Sequence, residues 1–338
     1  MRFGERYRMK SSAPSFLFAC LVMSLSSYAQ QVPHCLPLPP SEKKVVCNSF
    51  SLREFPTGFP NDTQTVYVQF TQLSSLGSEA LQGLPNLQGL HLTDNRLKTL
   101  PGGLFRNLPQ LHTLDLSRNL LKDLPPQIFT QAISLAYLSL SENQLAELDP
   151  SWFETVEDLK ILRLDHNKLK EIPGSVFQKL TMLLSLDLSS NLLHCLSPKS
   201  FKGLPYLNVL NLKNNPIRSI APKTFHGNSG LWVLSLRNCG LTHVPAGLFQ
   251  PLNHLGRLDL SANEITALEP LLLNVSSELT LDLSGNPWAC DCRMQALLNW
   301  VQGGDVDLFS KDDVVCAFPK SLKGQVATSL NGTKLCPC

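Results

Sequence analysis

His91, Asp115 and Ser139 stand 24 residues apart and offer the residue types of a nucleophilic triad. A triad needs its base within hydrogen-bond reach of both partners and an oxyanion hole beside the nucleophile. The sequence around them supplies no nucleophile elbow and no enclosing segment. The eight histidines form no H-E-x-x-H pair, and there is no phosphate loop or dinucleotide fingerprint. Ten cysteines are the second reactive set. Cys290-x-Cys292 and Cys336-x-Cys338 resemble metal-binding pairs, but no His-x₃₋₅-His spacing accompanies them. The expectation is a chain that is not an enzyme and holds no metal or cofactor.

The 24-residue interval belongs to most of the chain. Asn95, Asn119, Asn143, Asn167, Asn191, Asn215, Cys239 and Asn263 recur at that period, with Asn286 near the end. Each sits in a frame such as Leu111-x-x-Leu114-x-Leu116-x-x-Asn119-x-Leu121. Phe105, Phe129, Phe153, Phe177, Phe201, Phe225 and Phe249 form a second column at the same period. This is the leucine-rich repeat pattern, so the predicted fold is an α/β solenoid, a horseshoe with a parallel concave β-sheet. About nine strands stacked at ~4.8 Å make a sheet roughly 40 Å long. The Phe column reads as a spine filling the convex side rather than a cofactor stack. Where the chain leaves each strand, the Asn amide can pair backbone groups otherwise buried and unpaired, each worth about 1–3 kcal/mol if left so. Cys239 fits that ladder as the accepted alternative, with an inert buried thiol.

Side chains alternate along a strand, so Leu114 and Leu116 point inward while Thr113, Asp115 and Ser117 face out. Three outward columns follow at the 24-residue step. The first runs Thr113, Tyr137, Ile161, Ser185, Val209, Val233, Arg257. The second runs Asp115, Ser139, Arg163, Asp187, Asn211, Ser235, Asp259, and the third Ser117, Ser141, Asp165, Ser189, Lys213, Arg237, Ser261. Tyr137, Ile161, Val209 and Val233 are apolar where the fold does not require it, and Trp232 flanks the last. The predicted ligand-binding set is these five with Arg163, Asp165, Lys213 and Arg237. Aromatic and Arg residues dominate interface hot spots, which singles out Tyr137, Arg163, Trp232 and Arg237. Scattered exposed apolar residues are also ordinary on any surface.

The first 29 residues read as a signal peptide: a basic start (Arg2, Arg6, Arg8, Lys10), an apolar stretch from Phe16 to Leu25, and small residues at Ser27-Tyr28-Ala29. That stretch is shorter than the roughly 20 residues that span a bilayer, and no later segment qualifies, so no membrane insertion is expected. The whole chain carries 29 basic and 27 acidic residues; without the leader's four bases and one acid, 25 and 26 remain, a net charge of −1. A near-neutral mature chain with no basic cluster gives no support for nucleic acid or heparin-type partners. The expected organisation is leader 1–29, N-terminal cap 30–62, repeats 63–286 and cysteine-rich C-terminal cap 287–338, the product being secreted. N-glycosylation sequons occur at Asn61, Asn274 and Asn331, leaving the middle of the array bare.

In an oxidising compartment the cysteines form a disulfide framework. The expected pairs are Cys35–Cys47, Cys290–Cys316 and Cys292–Cys336, the last open to Cys338. Nine cysteines in the mature chain leave an odd thiol, so a disulfide-linked dimer through Cys195 or Cys338 is a further possibility. The two-Cys N-cap, together with Leu281-Asp-Leu283-Ser-Gly-Asn286-Pro-Trp288-Ala-Cys290-Asp291 and Cys316…Pro319-x-x-x-Lys323-Gly324-Gln325, resembles the leucine-rich alpha-2-glycoprotein family across the mature chain. The C-cap departs from that family toward the fuller four-cysteine cap of cell-surface receptors. The resemblance implies a non-enzymatic extracellular glycoprotein that binds a protein ligand or receptor, with associations to transforming-growth-factor-β receptor signalling in vessels and to cytochrome c. Alternatives are an extracellular-matrix structural protein and the soluble ectodomain of a repeat receptor.

Overall fold

Only the x-L-x of each frame alternates, and three residues are the strand that each repeat forms. Thr113–Asp115, Tyr137–Ser139, Ile161–Arg163 and Val233–Ser235 are examples. The computed structural model describes residues 35–37, 42–268, 279–303, 306–330 and 335. The segment 1–29 read as a leader, and Asn274, Asn331, Cys336 and Cys338, lie outside them. Neighbouring strands pair in parallel with a constant 24-residue offset, as in Tyr137↔Ile161 and Val209↔Val233. This unbroken register rules out insertions between Gly89 and Asp259, so the concave face is smooth along its middle.

The caps also join the sheet, which therefore has thirteen strands among the described residues rather than nine. Cys35–Pro37 pairs antiparallel with Lys44–Cys47, which in turn pairs parallel with Thr65–Val68. Val306–Phe309 extends the other end, parallel to Leu279–Asp282. Disulfides Cys35–Cys47 and Cys290–Cys316 tie the two ends, and Cys292 is disulfide-bonded as well. A helix, Met294–Gln302, lays Met294, Leu297 and Leu298 over the last rung. Such covers are what an open-ended stack of apolar rungs requires. Trp288 is buried beneath the C-cap, its indole N–H donating to Leu283 O at 3.0 Å.

One core runs the length of the molecule. The strand leucines and all seven repeat phenylalanines are buried, with Phe105–Phe129 and Phe201–Phe225 stacked at 5.7 and 5.8 Å. The convex return segments are mostly turns, with one short 3₁₀ helix at Pro150–Phe153.

The chain turns out of each strand one residue before the Asn column. Asp94, Arg118, Glu142, His166, Ser190, Asn214, Asn238 and Ala262 all have φ between 51 and 59°. A non-glycine residue in the left-handed region costs roughly 1–2 kcal/mol. The asparagine that follows offsets it. Asn119 Nδ2 donates to the carbonyls of Leu92, Leu116 and Ser117, and its Oδ1 accepts the Leu97 N–H. Asn143, Asn167, Asn191 and Asn263 repeat the pattern, and Asn215 and Asn286 follow it too. Asn95 gives its amide to Val68 O and Thr93 O, and its Oδ1 accepts from Thr71 Oγ1, so Thr71 is the ladder residue of the first repeat. Cys239 takes the same place with Sγ 3.3 Å from Leu212 O; burial pushes its thiol up to about 12.

Candidate protein-binding face

The concave sheet is polar toward its N-terminal end, and from Ile161 onward it also carries exposed apolar side chains among the charged ones. The polar part is held together internally. Arg118 donates from Nε to Asp94 at 2.7 Å and lies 3.6 Å from Glu142, a ladder of charges across three left-handed turn positions. Hydrogen bonding to Asp94 raises the Arg118 pKa still further above its ordinary range. Tyr67 and His91 stack at 4.4 Å with 7° between their planes. Burial lowers the His91 pKa, and the Asp115 charge offsets part of that shift.

Asp165 corrects the sequence-based picture. Only 4% of it is exposed, so it is no surface contact. Its carboxylate accepts from Ser141 Oγ at 2.6 Å and Arg163 Nε at 3.2 Å, with His166 Nδ1 at 3.0 Å. Burial opposes its ionisation, but the hydrogen bonds from Ser141 and His166 and the Arg163 charge outweigh it and hold the carboxyl below the usual range. The third outward column fails more widely. Ser117, Ser141, Ser189 and Ser261 are buried too, and only Lys213 and Arg237 of that column reach solvent. Strict alternation stops at this position because the next residue is already in the left-handed turn, which tucks the side chain against the neighbouring rung.

The remaining predicted residues do reach the face. Tyr137, Val209, Val233 and Lys213 are half-buried, and Ile161, Arg163, Trp232 and Arg237 are exposed. Arg163 is engaged with Asp165, and Arg237 donates to Ser261 Oγ at 2.6 Å. Ile161 is 38% exposed, Trp232 44%. Two exposed apolar side chains, Leu184 and Phe309, and one buried glycine, Gly256, were not named from the sequence. Leu184 is 44% exposed, and it stands two 24-residue steps before Trp232. Phe309, on the cap strand, is exposed beneath the Arg257 guanidinium at 5.7 Å from the ring centroid. Gly256 is buried under the Trp232 indole; a Cβ there would lie 2.3 Å from Cζ2. The indole therefore lies flat on the backbone of the next repeat while the residue stays 44% exposed.

His91, Asp115 and Ser139 occupy successive rungs as the spacing required, yet each is otherwise engaged. Asp115 accepts the Ser117 N–H, Ser139 Oγ donates to Ser141 Oγ, and His91 stacks on Tyr67. Among the described residues none of the three hydrogen-bonds to another, and no group of three or more His, Cys, Asp or Glu side chains gathers into a metal site. Cys195 is an exposed free thiol beside Ser219, and Cys239 a buried one. No described helix is long and apolar enough to cross a membrane. Asn61 is exposed.

A ladder of buried asparagines beneath one open parallel sheet defines the class of leucine-rich repeat solenoids. The leucine rich repeat family profile matches residues 63–121, 109–169, 133–193, 157–217, 182–241 and 229–287. Phospholipase A2 inhibitor beta of Elaphe climacophora is 76% identical over 332 residues, covering 98% of this chain and 100% of that protein. The phospholipase A2 inhibitor of Gloydius brevicaudus siniticus is 70% identical with the same coverage. The chain belongs to the leucine-rich repeat family that includes these two inhibitors. Among solved structures, a chain of the octameric complex of Latrophilin 3, Unc5D and FLRT2 superposes with a TM-score of 0.66 at 25% identity, over 86% of this chain and 81% of that one. Human 5T4 (trophoblast glycoprotein) superposes with a TM-score of 0.53 at 26% identity, over 90% and 98%.

Proposed function

We propose that this protein is a secreted, non-enzymatic inhibitor that binds a phospholipase A2 on its concave face. The observation that carries this reading is full-length identity of 76% and 70% to two proteins named as phospholipase A2 inhibitors. An uninterrupted face with exposed apolar and cationic side chains supports the mode of binding. Disulfides at both caps agree with an extracellular address, as does the leader-like start of the sequence. The domain organisation proposed is the one drawn from sequence, with glycans at Asn61, Asn274 and Asn331 away from the middle of the face.

The test is direct. The purified full-length protein, titrated against a secreted phospholipase A2, should bind it and reduce phospholipid hydrolysis. No binding to any of a panel of such enzymes overturns the reading. The shared run Leu281–Asp291 favours a second one, kinship to leucine-rich alpha-2-glycoprotein with modulation of transforming-growth-factor-β receptor signalling. A receptor-reporter assay on the same preparation tests it. A covalent dimer through Cys195 or Cys338 would appear as a doubled mass on non-reducing electrophoresis that collapses on reduction.

A further inference from the structure

A phospholipase works on molecules that reside in lipid aggregates. It therefore carries an apolar surface that meets the aggregate, and a recessed pocket that takes one acyl ester at a time. An inhibitor can fill the pocket or cover the surface, and the two tasks need different shapes. Filling a pocket needs a projecting loop. The strands from Gly89 to Asp259 keep a constant 24-residue register, so no insertion stands out from the sheet. The largest exposed aromatic on the face, Trp232, lies flat on Gly256 rather than reaching outward.

What the face offers is an apolar strip. Ile161, Leu184, Val209, Trp232 and Val233 occupy two adjacent columns over four successive rungs; Phe309 stands apart, three rungs past Val233 and under the Arg257 guanidinium. The strip is concave, as a convex partner requires. Beside it Asp259 accepts hydrogen bonds only from neutral donors, Asp187 does so too but faces the Arg163 guanidinium on the adjoining rung, and Asp307 is exposed beyond the strip. Asp259 and Asp307 are thus the carboxylates offered to cations, which a surface made for anionic headgroups carries around its apolar centre. Lys213 and Arg237 stand one column beyond, on the far side of Asp187 and Asp259.

We infer that this strip, anchored by Trp232 on its Gly256 seat, takes the lipid-facing surface of a phospholipase A2, so that the protein inhibits by keeping the enzyme off lipid aggregates. The inference rests on the inhibitor reading above and deepens it. Seating an indole on a bare backbone fixes it before binding, which reduces the ordering cost of an interface anchor.

The experiment compares two substrates with one enzyme and the full-length inhibitor: anionic phosphatidylglycerol vesicles, and a dihexanoyl phosphatidylcholine kept monomeric below its micelle concentration. At saturating inhibitor, vesicle hydrolysis should fall at least tenfold while monomer hydrolysis changes by less than about twofold. Trp232→Ala should weaken binding about 30-fold, the size of an interface hot spot. Gly256→Ala retains the indole but unseats it and should weaken binding several-fold, with the melting temperature of each variant checking the fold. Equal loss of both hydrolyses overturns the inference and leaves the inhibitor reading standing, because the pocket is then blocked. Wild-type affinity in both variants overturns the assigned site. Sedimentation of the inhibitor with vesicles in the absence of enzyme makes lipid the occupant and overturns it as well. No binding to the enzyme removes both readings together.

Discussion

The two halves of the concave face use the same backbone for opposite ends. In the N-terminal half, several polar side chains are engaged within the fold: Arg118 with Asp94 and Glu142 on the rungs either side, Asp165 with Ser141 on the preceding rung and with Arg163 and His166 on its own, and His91 stacked on Tyr67. In the C-terminal half, Leu184, Trp232 and Phe309 are large, apolar and left half uncovered. A polar group satisfied within the fold has little to give a partner, whereas an apolar group left in water gains on being covered. The first half should therefore report on stability and the second on binding.

The largest separation is expected from Trp232→Ala set beside Asp165→Ala. The former should cost affinity about 30-fold and leave the melting transition in place, since the Trp232 indole is 44% exposed and lies outside the buried core. Asp165→Ala should do the reverse. It leaves buried Ser141 without its acceptor and releases Arg163 and His166, a loss of about 2 kcal/mol in unfolding free energy by denaturant titration. Asp165→Ser restores the residue found at 117, 141, 189 and 261 and should recover most of that stability. If Asp165→Ser folds well but loses enzyme binding, the Arg163–His166 pair belongs to the interface and the division between halves fails.

How much of this was legible in the sequence follows from what the period controls. The Phe spine, the leucine rungs and the Asn ladder repeat every 24 residues because every rung faces the same packing problem, so they could be read directly. Asp165 could not. Its burial depends on a backbone that abandons alternation one residue before the turn, and Ser at the same position in other repeats is small and polar enough to suit either face. Leu184 was visible in principle, standing in the Trp232 column, but a single leucine in a leucine-rich chain gives no contrast. Phe309 lies on a cap strand outside the period. Gly256 became informative only once the indole was seen on it. The candidate site is thus least legible where it departs from the repeat, which is where a partner must be recognised.

A smaller effect should follow from Arg118→Ala. Its guanidinium bridges two carboxylates, but nearly half of the side chain is exposed, so solvent screens the pairs. Exposed ion pairs contribute about 0–1 kcal/mol, and the loss should shrink further at high salt. A cost well above 1 kcal/mol that persists in salt would mean the ladder is packed rather than merely charged.

The finest test of the division is a pH series on His91. Burial lowers its pKa below the ordinary 6.5, with Asp115 opposing. The folded state therefore holds fewer protons on this ring than the unfolded chain does as the pH falls through 6.5. The contribution of His91 is complete above that value, declines as the pH drops toward the folded pKa, and levels off below it. His91→Phe keeps an aromatic ring over Tyr67 and removes the titration. Melting temperatures at pH 7.5 and 5.0 should differ less in the variant than in the parent, with affinity for the enzyme unchanged at pH 7.5. If the melts are indistinguishable but affinity at pH 7.5 falls, the Tyr67–His91 stack serves the partner, and the binding surface extends into the half assigned here to the fold.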